Sequence, residues 1–197
     1  MCGIAGCIGG QDTQTVNRML DALPHRGPND RGVHILENAV FGHTRLSIVD
    51  VAHGHQPILA NGGSSGIVCN GEIYNFEDLK NDLIPKYEFT TNSDTEVILH
   101  LFQEEGPQCV KKLNGMFAFA IFHEADYMLA RDPIGIKPLY VAELDGGLAF
   151  CSEPGPLYAA PGVDRTLDPD ALLLQEGVGH GAAYQHGVHL RQQVADD

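Results

Sequence analysis

The chain has 197 residues, of which 43% are hydrophobic, and it carries 26 acidic residues against 12 lysines and arginines, a net charge of −14. This length is enough for one domain with a full core. The acidic balance disfavours surfaces that bind nucleic acid or anionic lipid. The longest dense apolar run, residues 116–122, is too short to cross a bilayer, and no basic segment followed by an apolar one opens the chain. We therefore expect neither nucleic acid nor a membrane as a partner.

The five cysteines are an odd number at irregular spacing, without a C-x-x-C pair. This pattern predicts reduced thiols rather than a disulfide framework or a zinc site, and it indicates a cytoplasmic protein without a metal or another cofactor.

The first predicted element is a strand that starts beside Cys2 and contains small and apolar residues. If Met1 is removed, Cys2 carries a thiol and a free α-amine on one residue. An α-amine titrates near ~7.7 to 8 and a lysine near ~10.4, so the α-amine is the better base close to neutral pH. The N-terminus thus predicts a nucleophile with its own base, although a cysteine near the start of a chain also occurs by chance.

Residues 13–23 have apolar positions at helical spacing, and Pro24 ends the predicted helix. Residues 25–32 are dense in turn-forming and charged residues, which is typical of a functional loop. Strands are predicted at residues 33–36 and 40–49.

A short apolar strand at residues 66–69 runs into Asn70 and Gly71, where an ordinary hairpin turn with a positive φ is the simplest structural interpretation. A weak helix is predicted at residues 76–83. Ser93 and Glu96 then have the spacing of a capping box, and the helix dipole alone could explain Asp94 in the first turn.

Four short strands at residues 116–122, 127–130, 139–144 and 148–152 predict an antiparallel meander. Two stacked sheets flanked by helices would accommodate this order. Beyond residue 153, Asp168 and Pro169 are typical of a helix start, and the glycine- and histidine-rich residues 177–187 indicate a loosely ordered tail. His180, His186 and His189 lack a carboxylate or cysteine at ligand spacing, so we favour a solvated tail over a metal site.

Seven motifs together resemble the class II glutamine amidotransferase domain of the glutamine-hydrolysing asparagine synthetases. They are CGIAG at 2–6, HRGP at 25–28, RLSIVD at 45–50, NGEIYN at 70–75, SDTE at 93–96, GMFAFA at 115–120 and RDPIGIKPLY at 131–140. The resemblance implies an α+β fold, the four-layer αββα sandwich of the N-terminal nucleophile hydrolases with two mainly antiparallel sheets. It covers residues 2–153, and residues 154–197 are expected to be a diverged, at best partly ordered extension.

The resemblance also implies roles for individual residues. Cys2 would attack the side-chain amide of L-glutamine, and Asn70 and Gly71 would form the oxyanion hole. Arg45 would bind the α-carboxylate, Glu72 and Asp94 would accept from the α-ammonium, and backbone groups near Val49 would add to the substrate site. The segments at 25–30 and 131–140 would line the site without a catalytic step.

In this family the released ammonia passes to an ATP-dependent synthetase domain, and the nucleotide loop expected of such a domain is absent from the 197 residues. A separate synthetase subunit or a truncated chain would each account for this. Two other functions stay open: a catalytically silent module that binds glutamine or regulates a partner, and hydrolysis of a different amide.

Overall fold

The computed structural model describes residues 1–10, 12–47, 50 and 53–163, and the backbone of residues 188–191. Ten strands and four α-helices lie in these residues. In chain order they are β1 (Gly3–Ile8), α1 (Thr13–Asp21), β2 (Asp30–Ile35), β3 (Ala39–Arg45), β4 (Ile58–Ala60), β5 (Ser65–Ile73), α2 (Phe76–Leu83), α3 (Asp94–Glu105), β6 (Gly115–His123), β7 (Asp126–Arg131), β8 (Tyr140–Leu144), β9 (Gly147–Cys151), α4 (Pro154–Leu157) and β10 (Val188–Arg191). Two 3₁₀ helices, Asn61–Gly63 and Gly106–Lys112, complete the described elements.

The strands form two antiparallel sheets of five strands each. The first sheet has the order β2-β3-β1-β9-β8 and the second has the order β10-β7-β6-β5-β4. Strand β1 lies at the centre of the first sheet, between β3 and β9, and all six of its residues are buried. Its small and apolar sequence fits a strand that is covered on both faces.

Three apolar clusters separate four layers. The cluster between the two sheets includes Ile4, Phe41, Val68, Phe122 and Phe150. A second cluster packs α1 and α4 on the outer face of the first sheet, and a third packs α2 and α3 on the outer face of the second sheet. The layers are therefore helix, sheet, sheet and helix, and the predicted αββα sandwich is confirmed.

The predicted single meander is wrong. Strands β6 and β7 form a hairpin in the second sheet, whereas β8 and β9 form a hairpin in the first. The chain crosses between the sheets after Arg131, where the buried Asp132 carboxylate accepts from the backbone N–H groups of Ile136 (2.9 Å) and Lys137 (3.0 Å). A hairpin has the same local sequence pattern in either sheet, so this pattern alone could not show to which sheet each hairpin belongs.

The hairpin turn considered at Asn70 and Gly71 is not formed, because β5 continues through both residues to Ile73. Gly71 does not have a positive φ. A Cβ on Gly71 would lie 2.6 Å from the carbonyl oxygen of Met116 and 2.8 Å from Cα of Phe117. The glycine is thus required for the close approach of β5 to β6 rather than for a turn.

The C-terminal region is described only in part. Strand β10 pairs with β7, with Val188 opposite Leu129. The predicted helix start at Asp168 and the histidines at 180 and 186 lie outside the described residues. In the part of the chain that the structure describes, no helix is long and apolar enough to cross a membrane.

Candidate active site

A pocket of about 200 Å³ lies where β1, β3, β5 and the N-terminus of α3 meet. The sequence predicts seven site residues, and this pocket brings together six of them: Cys2, Arg45, Asn70, Gly71, Glu72 and Asp94. The seventh, Val49, lies outside the described residues. The pocket is smaller than the ~300 to 1,000 Å³ typical of sites for drug-sized ligands, so it suits a molecule the size of an amino acid.

Cys2 precedes β1 and is fixed by contacts on both its side chain and its backbone. The backbone N–H of Leu46 lies 3.4 Å from the Cys2 Sγ. The buried Arg26 donates from Nε to the carbonyl oxygen of Cys2 at 3.0 Å and from Nη1 to Glu153 at 3.0 Å. The thiol is therefore held at the pocket wall instead of moving freely with the chain terminus.

Asn70 faces the space between the sheets, next to Cys2. In the amide orientation that satisfies its neighbours, Nδ2 donates to the Cys2 carbonyl oxygen at 3.2 Å and Oδ1 accepts from Nη2 of Arg26 at 3.3 Å. An asparagine amide has two N–H donors, and the bond to the Cys2 carbonyl uses one of them. Asn70 also lines the pocket.

The open edge of β5 supplies a second donor. Cys69 donates its backbone N–H to Gln56 Oε1 at 2.6 Å, and Ile73 donates its backbone N–H to Asp94 Oδ2 at 2.8 Å. Alternate residues of a strand direct their N–H groups to the same edge. The N–H of Gly71 therefore leaves β5 between these two bonds, on the edge where the pocket lies.

Arg45 ends β3 and is only 3% exposed. Its Nη2 donates to the carbonyl oxygen of Asp50 at 2.6 Å. A buried, planar guanidinium in a small pocket is suited to a two-point contact with a carboxylate.

Asp94 and Glu72 place two carboxylates at the same pocket. Asp94 is the first residue of α3 and is 8% exposed. Burial raises the pKa of Asp94, and the Glu72 charge adds to this, while hydrogen bonds from the N–H groups of Ile73 and Thr95 act in the opposite direction. The pocket therefore combines a buried cation with two carboxylates.

The capping box predicted for α3 is formed only in part. Ser93 is the N-cap, and its side chain accepts from the N–H of Thr95 at 3.2 Å. The Glu96 side chain does not return to Ser93 but accepts from Thr90 and Thr91. The spacing of serine and glutamate correctly predicts the helix start, but the prediction for the glutamate contact is wrong because the preceding loop offers more donors.

The pocket is also lined by Gln56 and Lys137, which are not among the seven predicted site residues. Gln56 carries no sequence signal, whereas Lys137 belongs to the segment expected to line the site. Lys137 Nζ donates to the thioether sulfur of Met1 at 3.6 Å, so Met1 lies in the pocket beside Cys2. With Met1 attached, the nitrogen of Cys2 is a peptide nitrogen and cannot act as a base.

The glutamine amidotransferase domain family matches residues 1–184. The chain belongs to this family. Among curated members, the glutamine-hydrolysing asparagine synthetase 3 of Bacillus subtilis is 39% identical over 91% of the chain and 31% of its own length. Asparagine synthetase B of Escherichia coli, also glutamine-hydrolysing, is 44% identical over 83% of the chain and 30% of its own length.

This glutamine amidotransferase domain therefore spans less than a third of the length of those two relatives. Solved structures support the fold. Glutamine phosphoribosylpyrophosphate amidotransferase of Bacillus subtilis superposes with a TM-score of 0.69 at 22% identity, over 82% of this chain and 44% of the other. An allosteric regulatory enzyme of purine biosynthesis gives a TM-score of 0.70 at 24% identity, with the same coverage.

Proposed function

We propose that the protein hydrolyses the side-chain amide of L-glutamine to glutamate and ammonia through a thioester on Cys2. The observation that carries the proposal is the convergence of a fixed N-terminal thiol, an Asn-Gly donor pair and opposite charges in one small pocket. The cysteine must stay reduced for this chemistry, which suits a cytoplasmic location.

The proposed first step begins after Met1 has been removed. The free α-amine of Cys2 accepts the thiol proton while Sγ forms a bond to the amide carbon. Negative charge develops on the amide oxygen, where the Asn70 side chain and the Gly71 N–H are the proposed donors. The α-amine then returns the proton to the amide nitrogen, the carbon–nitrogen bond breaks, and ammonia leaves. Water hydrolyses the thioester to glutamate and restores the thiol.

The charges around the pocket favour a free amino acid over a generic amide. In the proposal, Arg45 binds the α-carboxylate, and Asp94 with Glu72 accepts hydrogen bonds from the α-ammonium. Backbone groups near Val49 are assigned a secondary part in substrate binding. A ligand that lacks either charge would lose the charge-assisted hydrogen bonds to Arg45 or to the two carboxylates.

We propose that the ammonia passes to an ATP-dependent synthetase domain or subunit, as in asparagine biosynthesis. The similarity to glutamine-hydrolysing asparagine synthetases over 83 to 91% of the chain supports this partner class. Residues 2–153 would form the glutaminase unit, and residues 154–197 would be its extension.

The alternative is a silent module that binds glutamine without hydrolysing it. The retention of Cys2, Asn70 and Gly71 beside the charged groups disfavours it, because a binding module needs no nucleophile. Hydrolysis of a different amide is disfavoured by Arg45, Glu72 and Asp94 together.

An assay of glutamate release by wild type and by Cys2→Ala tests the proposal. We expect release by the wild type alone. Glutamine binding by both proteins, without release by either, would support the silent module instead. Comparable turnover of glutaramic acid, which lacks the α-amine, would indicate a different substrate class.

A further inference from the structure

Glu96 is a buried carboxylate on α3 that does not line the pocket. It is 2% exposed, and its two oxygens accept four hydrogen bonds from the loop before the helix. The backbone N–H (2.8 Å) and hydroxyl (2.9 Å) of Thr90 donate to Oε1, and the backbone N–H (2.7 Å) and hydroxyl (2.6 Å) of Thr91 donate to Oε2. A single N-cap side chain is enough for a helix start, so the four hydrogen bonds to Glu96 are more than the helix start requires.

These bonds continue toward the pocket. The Thr91 hydroxyl accepts from the backbone N–H of Ser93 at 3.1 Å, while its own proton is directed to Glu96. Ser93 then caps α3, and Asp94 follows as the first helical residue. Glu96 is thus connected to the Asp94 backbone through Thr91 and Ser93, each of which is fixed by a hydrogen bond.

The same loop is fastened on its other side by Asp50. Oδ2 of Asp50 accepts from the backbone N–H of Asn92 at 2.8 Å. The carbonyl oxygen of Asp50 accepts from Arg45. The loop at residues 90–94 is therefore held by Glu96 on one side and by Asp50, which contacts Arg45, on the other. A shift of this loop would change the distance between Asp94 and Arg45.

We propose that Glu96 is a positioning residue for substrate recognition, which holds Asp94 at the distance from Arg45 that the free amino acid requires. This inference rests on the proposed function. Glu96 acts through the loop and does not touch the substrate. Only a carboxylate supplies two acceptor oxygens for four donors, whereas a glutamine would turn an NH₂ group toward the donors of Thr90 or Thr91.

A purely structural role would give a different result. If Glu96 only stabilised α3, its replacement would lower the melting temperature and leave the kinetic constants of the folded fraction unchanged. If Glu96 positions Asp94, replacement would weaken recognition of the α-ammonium and spare the chemistry at Cys2. The ratio of activity on glutamine to activity on glutaramic acid separates the two, because glutaramic acid lacks the α-amine.

The test compares wild type, Glu96→Gln and the matched control Glu104→Gln. Glu104 lies on the same helix but pairs with Lys86 at the surface. For Glu96→Gln we expect the KM for glutamine to rise about tenfold, equivalent to ~1.4 kcal/mol. We expect kcat within about threefold of wild type, since the thiol and the oxyanion donors are untouched. Activity on glutaramic acid should not change, and Glu104→Gln should behave as wild type.

Thr91→Val is the second variant in case Glu96→Gln does not fold. It removes the hydroxyl that joins Glu96 to Ser93 and keeps the side-chain shape, so a smaller rise in KM is expected. Unchanged KM in a folded Glu96→Gln or Thr91→Val protein, with active wild type, would overturn the positioning role. Absence of glutamate release by the wild type would instead overturn the proposed function.

Discussion

Arg26 Nε donates to the carbonyl oxygen of Cys2 at 3.0 Å, and this bond connects the loop after α1 to the candidate nucleophile. The same guanidinium pairs with Glu153 beyond the end of β9. The sequence predicts only that residues 25–30 line the site. The structure adds that Arg26 fixes the backbone from which the thiol projects.

Replacement of Arg26 by glutamine should therefore reduce kcat more than it raises KM. We expect a loss of about tenfold or more in kcat, because small displacements of a nucleophile are costly. Steady-state kinetics would measure this. Arg31→Gln is the control, since Arg31 pairs with Asp21 at the surface. Equal kinetics for the two variants would contradict a role of Arg26 in fixing Cys2.

Arg45→Lys should weaken glutamine recognition because lysine keeps the charge but loses the planar two-point contact. We expect kcat/KM for glutamine to fall by about ten- to a hundredfold, the usual range for a lost charge-assisted hydrogen bond. Activity on the amide of γ-aminobutyrate, which lacks the α-carboxylate, should change much less. An equal loss on both substrates would show that Arg45 supports the fold rather than the carboxylate.

Asn70→Ala should act on the chemical step. Loss of one oxyanion donor typically reduces kcat by ~10² to 10³, with little change in KM. Rapid-quench measurement of thioester formation would locate the loss. Because Asn70 also contacts Cys2 and Arg26, the melting temperature of the variant should be compared with that of wild type. A KM effect without a kcat effect would rule out Asn70 as an oxyanion donor.

Because of Glu96, the free energy of unfolding should depend on pH under acidic conditions. Burial raises the pKa of Glu96, but the nearby His100 ring, 3.6 Å from Oε1, and the hydrogen bonds from Thr90 and Thr91 outweigh it and lower the pKa from 4.5 to about 2. The stabilisation is complete above pH 4.5 and is lost as the pH falls from there toward 2. This pKa shift corresponds to a contribution of roughly 3 kcal/mol to the free energy of unfolding. The free energies of unfolding of wild type and Glu96→Gln, measured with urea, should therefore converge as the pH falls. A constant difference between them would contradict the link between Glu96 ionisation and stability.

Much of the fold follows from local pattern because apolar periodicity and turn residues act over a few residues. The helix at Phe76–Leu83 and the start of α3 at Ser93 are of this kind. The assignment of β8 and β9 to the first sheet depends on contacts with β1, far away in sequence, and no local pattern encodes it.

The residues of the candidate site also differ in whether the sequence alone could predict them. In the proposed function, Cys2, Arg45 and Asn70 act through their own side chains, so residue type and motif order could identify them. Gln56 and Glu96 accept hydrogen bonds from the backbone N–H groups of Cys69 and Thr90, and these pairs become neighbours only after folding. These contacts could not be predicted from the sequence.

The most direct measurement of the central claim compares glutamate release by two forms whose N-termini are verified by intact mass spectrometry. One form begins at Cys2, and the other carries one glycine ahead of Cys2. The extended form keeps the thiol but converts the α-amine into a peptide nitrogen. We predict glutamate release from the form that begins at Cys2 and none from the extended form. Equal release from both would contradict the α-amine of Cys2 as the catalytic base.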